Sequence, residues 1–252
     1  LSEAEFRTII GDIVHGLYSD IHISSFVTAC TARPLDIDEM VALTRAMVDA
    51  GDRIAWPSAL VVDKHSVGGL PGNRTTPIIV AIVAANGLCM PKTSSRAITS
   101  PAGTADTMEV LAPVDLDVPA MRRVVEQEGG CIAWGGAVRL SPADDILIRV
   151  ERALDIDSEG QLVASVLSKK IAAGANCVVV DIPVGRTAKV RDEVSARSLA
   201  GTLWQVAQQF GLRCEAVLSD GSEPVGRGIG PALEARDVLA VLRNTPDAPD
   251  DL

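Results

Sequence analysis

Aromatic side chains are scarce in this sequence of 252 residues. Phe, Trp and Tyr together make up 3% of the chain, whereas hydrophobic residues reach 47%. The core must therefore be built from Ala, Val, Ile and Leu, as is common in proteins whose parallel sheets are buried on both faces. The length is sufficient for one large domain or two modest ones, with a sizeable core.

Cysteine pairs, positive charge and long apolar runs are also lacking. The five cysteines are widely spaced without a CxxC pair, so we expect neither a disulfide framework nor a zinc or other metal site. The net charge of −10 argues against nucleic acid and anionic membranes as partners, because both require clustered positive charge. No apolar run is long enough for a membrane span and no signal peptide is recognisable, which predicts a reducing, cytoplasmic compartment.

The order of predicted elements divides the chain. Residues 1–50 show helical periodicity only, with a capping-box spacing at Ser2 and Glu5, and with Asp36 or Asp38 as the cap of a later helix. From residue 58 onwards, apolar strands alternate with helices, which predicts a mostly parallel sheet covered on both faces. The predicted strands are ALVVD (59–63), the start of LCMPKTSS (88–95), CIAW (131–134), CVVVDIP (177–183) and CEAVLSD (214–220).

Two consecutive helices at 142–173 interrupt this alternation and are expected to return to the N-terminal helices. We therefore predict an α/β fold with a small all-helical domain, residues 1–55 and 142–173, and a larger α/β domain, residues 56–141 and 174–252. The chain starts at Leu1 and ends in NTPDAPDDL, which contains no clear element, so we expect a piece of a longer protein, truncated at both ends.

The segment VVDKHSVGGLPGNRTT (61–76) looks like a strand that ends in an anion-binding loop. Its glycines allow the backbone to approach an anion closely, and a helix that begins near Thr76 would point its positive end at the same place. The segment has neither the Gly-Lys-Ser/Thr ending of a nucleoside-triphosphatase loop nor GxGxxG. A plain strand-to-helix turn is the alternative. The candidate ligands are Lys64, Ser66, Gly68, Gly69, Gly72, Thr75 and Thr76.

A second hydroxyl-rich loop, KTSSRAITSPAGTADTME (92–109), follows the next strand. Its hydroxyl groups are expected to crowd around Arg96, in front of a helix that starts near Asp106. Ordinary helix capping is the alternative, since Ser and Thr are favoured at helix starts. The hydroxyl-bearing residues are Ser94, Ser95, Thr99, Ser100 and Thr104.

A third stretch, LDIDSEGQLVASVLSKK, places Ser165 and Lys169 four residues apart and therefore on one face of a helix. Asp157 lies two turns upstream of Ser165. The spacing alone fits a solvated helix face with Lys169 and Lys170 equally well.

The motifs DKHSVGGLPGN and SSRAITSPAGTADTMEV resemble the thymidine phosphorylase and AMP phosphorylase family, and ASVLSKK and GPALEAR resemble further blocks of that family. The resemblance runs from about residue 5 to residue 240. It is strongest to the archaeal AMP phosphorylases and to bacterial proteins named putative thymidine phosphorylase. The residues that match the family signature are Ser94, Ser95, Arg96, Gly103, Thr104, Asp106 and Glu109.

This resemblance implies a helical domain and a larger α/β domain of the nucleoside phosphorylase and phosphoribosyltransferase type, with the active site in the cleft between them. It implies that inorganic phosphate, as co-substrate, attacks a nucleoside or nucleoside 5′-monophosphate and releases the base and a (deoxy)ribose 1-phosphate. It further implies a homodimer, no required cofactor, and a monovalent cation near Gly69, Thr75 and Glu234. The N-terminal helices are the expected dimer contact.

Site residues follow from the same resemblance. Asp157 matches the proposed proton donor, and His65 and Lys64 are the other candidate catalytic residues. The phosphate-binding candidates are Lys64, Ser66, Gly69, Ser94 and Thr104. The nucleoside-binding candidates are Ser95, Arg96, Ala97, Ile98, Thr99, Ser100, Ser165, Lys169 and Lys189.

Two alternatives remain at this point. An anthranilate-type phosphoribosyltransferase shares the two-domain plan, although it would need Mg²⁺ and acidic ligands for a diphosphate. A non-catalytic, anion-binding core fragment would bind phosphate without turnover.

The chain also departs from the thymidine enzymes, which place a Tyr and an Arg on the base in the segment matching DDILIRVER. Arg149 and Arg152 are present in that segment, but the lone tyrosine, Tyr18, is far away in the sequence.

Overall fold

The computed structural model describes residues 1–68, 70–97, 101–156 and 158–252. The helices among them are α1 (Glu3–Val14), α2 (Asp20–Ala32), α3 (Ile37–Asp49), α4 (Thr75–Ala85), α5 (Thr104–Glu109), α6 (Val118–Glu128), α7 (Pro142–Leu154), α8 (Glu159–Ala172), α9 (Glu193–Gln208) and α10 (Pro231–Leu242). The strands are β1 (Val62–Ser66), β2 (Met90–Ser94), β3 (Gly130–Trp134), β4 (Cys177–Val184) and β5 (Arg213–Asp220).

The chain divides into two compact units. The helical unit comprises residues 1–55, 139–176 and 201–214, and the α/β unit comprises residues 56–138, 177–200 and 215–252. Residues 201–214, which the sequence alone assigned to the α/β domain, belong to the helical unit here. The fold class predicted from the sequence, a helical domain plus an α/β domain with a mostly parallel sheet, is confirmed.

Local capping explains where the N-terminal helices begin. Ser2 accepts a hydrogen bond from the Glu5 amide at 3.3 Å, which confirms the predicted capping box. Asp36 rather than Asp38 caps α3 and accepts from the Glu39 amide at 2.8 Å. Helix α2 begins at Asp20, with Ser19 in the cap position.

Apolar packing holds the helical unit together. Helices α7 and α8 pack against the N-terminal helices, as their place outside the strand alternation predicted. Phe6, Ile10, Leu43 and Leu167 are completely buried there. Burial of each such side chain contributes about 1.5–3 kcal/mol relative to an exposed one.

Two pairs of strands in the α/β unit are parallel. Strand β1 pairs with β4 from Val62↔Cys177 to Ser66↔Asp181, and β2 pairs with β3. An isolated parallel bridge, Val61↔Cys89, connects the start of β1 to the start of β2. The carboxyl ends of β1, β2 and β4 therefore lie at one edge, where ligands of open parallel sheets bind.

All of the predicted strands exist, but β1 is shifted. It was expected over residues 59–63, with Lys64, His65 and Ser66 in the following loop, and it runs instead over Val62–Ser66. The backbone pairing with β4 continues through Ser66 and overrides the polar character of these side chains. The shift matters because residues two apart in a strand share a face.

Small apolar side chains fill the α/β unit as well. Val80, Met90 and Ile132 form a buried cluster between α4, β2 and β3. Cys131 is also buried in this unit, and all five cysteines of the chain are free thiols. Burial raises the pKa of the Cys131 thiol to about 12, so this residue acts as a small hydrophobic side chain. None of the helices in the described ranges is long and apolar enough to cross a bilayer.

A buried ion pair connects the loops of the α/β unit. Arg74, just before α4, donates from Nε to Glu234 Oε2 on α10 at 2.6 Å, and both side chains are buried. Thr107 on α5 donates to the same carboxylate oxygen at 2.9 Å, and Arg74 also donates to the Ala102 carbonyl. The pair thus holds together α4, α5, α10 and the loop between β2 and α5.

We predict that Glu234→Ala lowers the free energy of unfolding by about 3–5 kcal/mol, because it leaves the Arg74 guanidinium buried without its counter-charge. Urea denaturation of the full-length protein measures this. As a control, Arg197→Ala removes the exposed ion pair with Glu193 on α9 and should change the free energy of unfolding by less than about 1 kcal/mol. Equal losses in the two variants would contradict this role of the buried pair.

Candidate active site

The end of β1 and the start of α4 are joined by the Lys64 side chain. Lys64 is 4% exposed, and its Nζ donates to Thr75 Oγ1 at 2.6 Å and to Ser66 Oγ. Thr75 in turn donates to Asn73 Oδ1 at 2.9 Å. The structure therefore brings Lys64, Ser66 and Thr75 together, as expected for the first loop, and we call them the Lys64 cluster.

Asp181, on the neighbouring strand β4, contacts two residues of the Lys64 cluster and was not among the site residues predicted from the sequence. Its Oδ2 accepts from Ser66 Oγ at 2.8 Å and lies 3.8 Å from Lys64 Nζ. Its Oδ1 accepts from Ser219 Oγ on β5 at 2.5 Å. The one signal in the sequence was an aspartate inside the apolar run CVVVDIP, near its carboxyl end.

The Gly-rich loop after β1 is packed closely on another segment. Gly72 has φ +78°, and a Cβ at this position would lie 1.8 Å from the Val225 carbonyl oxygen. The Val225 amide donates to Pro71 O at 3.0 Å. A glycine is therefore required at this position for both conformation and space. Gly69, a predicted phosphate ligand, lies outside the described residues.

His65 lies on the opposite side of β1 from Lys64. Side chains alternate along a strand, and the hydrogen bond between Lys64 and Ser66 shows that these two share a face. His65 pairs in register with Val180 of β4 and is half-buried. The structure thus does not add His65 to the Lys64 cluster, and its catalytic role stays a prediction.

The second loop is organised by Asp106 on α5. Its Oδ2 accepts from the amides of Ala97 at 2.7 Å and Gly103 at 2.8 Å, and its Oδ1 accepts from Arg96 at 3.1 Å. Burial would raise the pKa of this carboxyl group, but the two amides and the Arg96 guanidinium outweigh burial and lower it. Asp106 therefore fixes the start of α5 to the end of β2.

Arg96 contacts carboxylates and an aromatic ring. It donates to Glu109 through two nitrogens, at 2.7 and 2.9 Å, and its guanidinium lies 4.8 Å from the centroid of the Trp134 ring. The described contacts of Arg96 are thus with carboxylates and a ring, and two of the five hydroxyl residues expected around it, Thr99 and Ser100, lie outside the described residues, so that expectation stays a prediction. Asp106 and Glu109 of the family signature are both partners of Arg96, so this part of the motif has a structural explanation.

The other described hydroxyl candidates of the second loop lie at the end of β2 and at the start of α5. Ser94 is the last residue of β2, and Ser66 and Ser94 each follow the bridged pair Val61↔Cys89 by the same number of residues. Thr104 opens α5 and is half-buried, and the Ser95 carbonyl accepts from the Ala105 amide at 3.3 Å. Ile98, Thr99 and Ser100 are outside the described ranges.

The helical unit contains a separate polar group on α7 and α8. Lys169 Nζ donates to Asp144 Oδ2 at 2.7 Å and to Ser165 Oγ at 3.2 Å. Asp144 is buried, Ser165 and Lys169 are half-buried, and Lys170 is 2% exposed. The alternative of a solvated helix face is therefore wrong. Asp144 was missed, since only its place in the run PADDIL, before an amphipathic helix, could have pointed to it.

Two further candidates stand apart from these groups. Lys189 is exposed in the loop between β4 and α9. Asp157, the predicted proton donor, precedes α8 and is not among the described residues. Arg149, in the segment where the thymidine enzymes read the base, instead pairs with Asp20 at 2.8 Å on the exposed surface of the helical unit.

The predicted monovalent cation gains no support from Glu234. Both carboxylate oxygens of Glu234 accept hydrogen bonds from the protein, from Arg74 and Thr107 on one side and from the Gly230 amide at 3.1 Å on the other. Within the described ranges, no group of three or more His, Cys, Asp or Glu side chains is arranged to hold a metal ion. The cation stays a prediction.

Family models match both units. Residues 1–51 match the helical bundle domain of a glycosyl transferase family, and residues 58–250 match the a/b domain of that family. Among curated proteins, "Putative thymidine phosphorylase" of Sphingopyxis alaskensis is 70% identical over 250 residues, 99% of this chain and 49% of that protein. The protein of the same name from Parvibaculum lavamentivorans is 66% identical over 252 residues, 100% of this chain and 50% of its own. The chain thus spans about half the length of these relatives.

Two solved structures of similar fold are anthranilate phosphoribosyltransferases. Anthranilate phosphoribosyltransferase of Thermus thermophilus superimposes with a TM-score of 0.77 over 99% of this chain and 81% of that chain, at 19% identity. The Saccharomyces cerevisiae enzyme, in complex with PRPP and Mg, gives a TM-score of 0.64 over 86% of this chain and 61% of that chain, at 15% identity. At such identities the likeness concerns the fold alone.

We predict that Asp106→Asn lowers the free energy of unfolding by about 1.5–3 kcal/mol at pH 7, because charge-assisted hydrogen bonds to two amides and Arg96 are weakened. The folded-state pKa of Asp106 is depressed below 3.8, so its contribution is present above that pH and is lost as the pH falls through the folded-state pKa. Urea denaturation at pH 7 and at about pH 3 measures the difference.

The control for this prediction is Asp115→Asn, which removes an exposed carboxylate 3.8 Å from the same guanidinium. It should change stability by less than about 1 kcal/mol at either pH. A difference between wild type and Asp106→Asn that does not shrink on acidification would contradict the assignment.

Proposed function

Because the chain belongs to the glycosyl transferase family by both its helical bundle domain and its a/b domain, we propose that it is the core of a pentosyltransferase that uses inorganic phosphate. Its substrate is a nucleoside or nucleoside 5′-monophosphate, and its products are the free base and a (deoxy)ribose 1-phosphate. The observation that carries the proposal is the Lys64 cluster, a buried ammonium group with hydroxyl donors at the carboxyl edge of the sheet.

The proposed reaction is a displacement at C1′ of the sugar. An oxygen of phosphate forms a bond to C1′ while the bond between C1′ and the base nitrogen breaks, and the base leaves with the electron pair. Lys64 and the neighbouring hydroxyl groups hold the phosphate in place, and the phosphate provides negative charge beside the sugar as positive charge builds up on it. Asp157 is the proposed donor of the proton that the leaving base takes up.

The group on α7 and α8 is proposed to hold the base. The ammonium of Lys169 is fixed by Asp144 at 2.7 Å, and Ser165 lies 3.2 Å from it, so a donor and a hydroxyl are oriented together. Such donors fit the carbonyl oxygens or ring nitrogens of a nucleobase, where negative charge develops as the base leaves. These groups do not distinguish a purine from a pyrimidine by themselves.

A basic loop favours a monophosphate over a nucleoside. The loop between β4 and α9 is closed by the bridge Val184↔Val190 and exposes Arg186, Lys189 and Arg191. Three positive side chains on one short loop, on a chain whose net charge is −10, offer a site for a second phosphate group. We therefore propose that the 5′-phosphate of the substrate binds this loop.

The proposal is tested by base release from thymidine, uridine, AMP, CMP and UMP by the full-length protein, with and without inorganic phosphate. Phosphate-dependent release from a monophosphate supports nucleotide phosphorolysis, and release from thymidine or uridine alone supports a nucleoside substrate. Anthranilate with PRPP and Mg²⁺ is assayed in parallel. Turnover only there would support a phosphoribosyltransferase, and no turnover with any substrate would leave a non-catalytic anion-binding protein.

We predict that Lys64→Met lowers kcat/KM for phosphate by at least about a hundredfold, because the ammonium that holds the anion is removed from a buried site. Initial rates at varied phosphate concentration measure the change. Arg123→Met removes a positive charge from the exposed surface of α6 and serves as the control that should retain activity. Unchanged kinetics in a folded Lys64→Met protein would contradict the proposed site.

The basic loop gives a separate prediction. The double variant Arg186→Ser with Arg191→Ser should raise KM for nucleoside monophosphates by about tenfold or more, and should leave any turnover of nucleosides within about twofold. Arg123→Ser is the matched control for the loss of an exposed arginine. Parallel losses for nucleosides and monophosphates would show that the loop does not read the 5′-phosphate.

A further inference from the structure

The donors of the Lys64 cluster are already engaged with one another. Ser66 has one hydroxyl proton, and it points to Asp181 Oδ2 at 2.8 Å. Lys64 donates to Ser66 and Thr75, and Asn73 Nδ2 lies 3.4 Å from the same Asp181 oxygen. An incoming oxyanion must therefore take over hydrogen bonds that Asp181 now accepts.

The Asp181 carboxylate has two different environments. Oδ1 is anchored by Ser219 Oγ on β5 at 2.5 Å, whereas Oδ2 faces Ser66, Asn73 and, at 3.8 Å, Lys64. Oδ1 thus contacts the neighbouring strand β5, and Oδ2 contacts the side chains that we propose to bind the anion. If Asp181 only stabilised the pairing of β4 with β5, it would not need hydrogen bonds to Ser66 on β1 and to Asn73 in the following loop.

Burial explains why Lys64 needs such a partner. Its side chain is 5% exposed, and a buried ammonium group is strongly disfavoured unless a counter-charge and hydrogen-bond acceptors lie nearby. Phosphate can supply both when it is bound. In the absence of phosphate, the Asp181 carboxylate supplies them.

We propose that Asp181 is the resident counter-ion of the phosphate site. It holds Lys64 and Ser66 in their binding positions while no anion is present, and it yields these donors to phosphate when phosphate enters. Asp181 and phosphate thus compete for the same donors. The carboxylate lowers the affinity of the site for phosphate and helps the sugar phosphate to leave. This inference rests on the proposed function, since it assigns the anion of the Lys64 cluster as phosphate.

The test is calorimetric titration of inorganic phosphate into the full-length wild type and the variant Asp181→Asn. The substitution removes the competing charge and keeps the size of the side chain. We expect the dissociation constant for phosphate to fall by on the order of tenfold. A purely structural role would leave affinity unchanged or weaken it, so either of those results in a folded variant overturns the proposal.

Two controls separate this effect from a change in net charge. Asp220→Asn neutralises an exposed carboxylate on the same sheet edge and should leave phosphate affinity within about twofold of wild type. In a double-mutant cycle, Asp181→Asn should tighten phosphate binding much less when Lys64 is already replaced by Met. Equal tightening in both backgrounds would show that Asp181 does not act through Lys64.

The outcomes also separate this inference from the proposed function. If the wild type binds no phosphate, the proposed function fails. If the wild type binds phosphate but Asp181→Asn does not bind it more tightly, only the counter-ion role fails. Asp181→Ser provides a second neutral side chain, and failure of both variants to fold would make Asp181 a structural residue and overturn the inference.

Discussion

The buried ion pair between Arg74 and Glu234 is the interaction on which the arrangement of the α/β unit depends. Arg74 ends the Gly-rich loop, and through one guanidinium group it reaches α10, Thr107 of α5 and the Ala102 carbonyl of the second loop. Both the Gly-rich loop and the second loop are therefore fixed to the same buried charge. A buried pair of this kind contributes specificity of arrangement more than net stability, since desolvation offsets much of its attraction.

The same principle recurs at the other polar positions of the interior. Lys64 faces Asp181, Lys92 lies 3.2 Å from Asp63, and Lys169 lies 2.7 Å from Asp144. In each case the cation and the carboxylate come from different elements. Each of these three cations thus has a local counter-charge within the fold.

The sequence predicted the parts of the site that depend on short spacings. The alternation of strands and helices, the capping residues Ser2 and Asp36, and the closeness of Lys64 to Ser66 and Thr75 all follow from local periodicity. Asp181 could not be found in this way, because it meets Ser66 through strand register across 115 residues. The contacts of Arg96 with Asp106 and Glu109 were not predicted either, because a sequence pattern does not show how the side chains of a helix are oriented towards the residues before it.

Two contacts anchor the second loop to the rest of the α/β unit. The second loop is held at one end by the Ala97 amide on Asp106 and at the other by the Ala102 carbonyl on Arg74. The two charged side chains that hold the loop, Asp106 and Arg74, are themselves fixed by other parts of the α/β unit. A change at Asp106 or Arg74 would remove one of these anchors and weaken the connection between the second loop and the rest of the α/β unit.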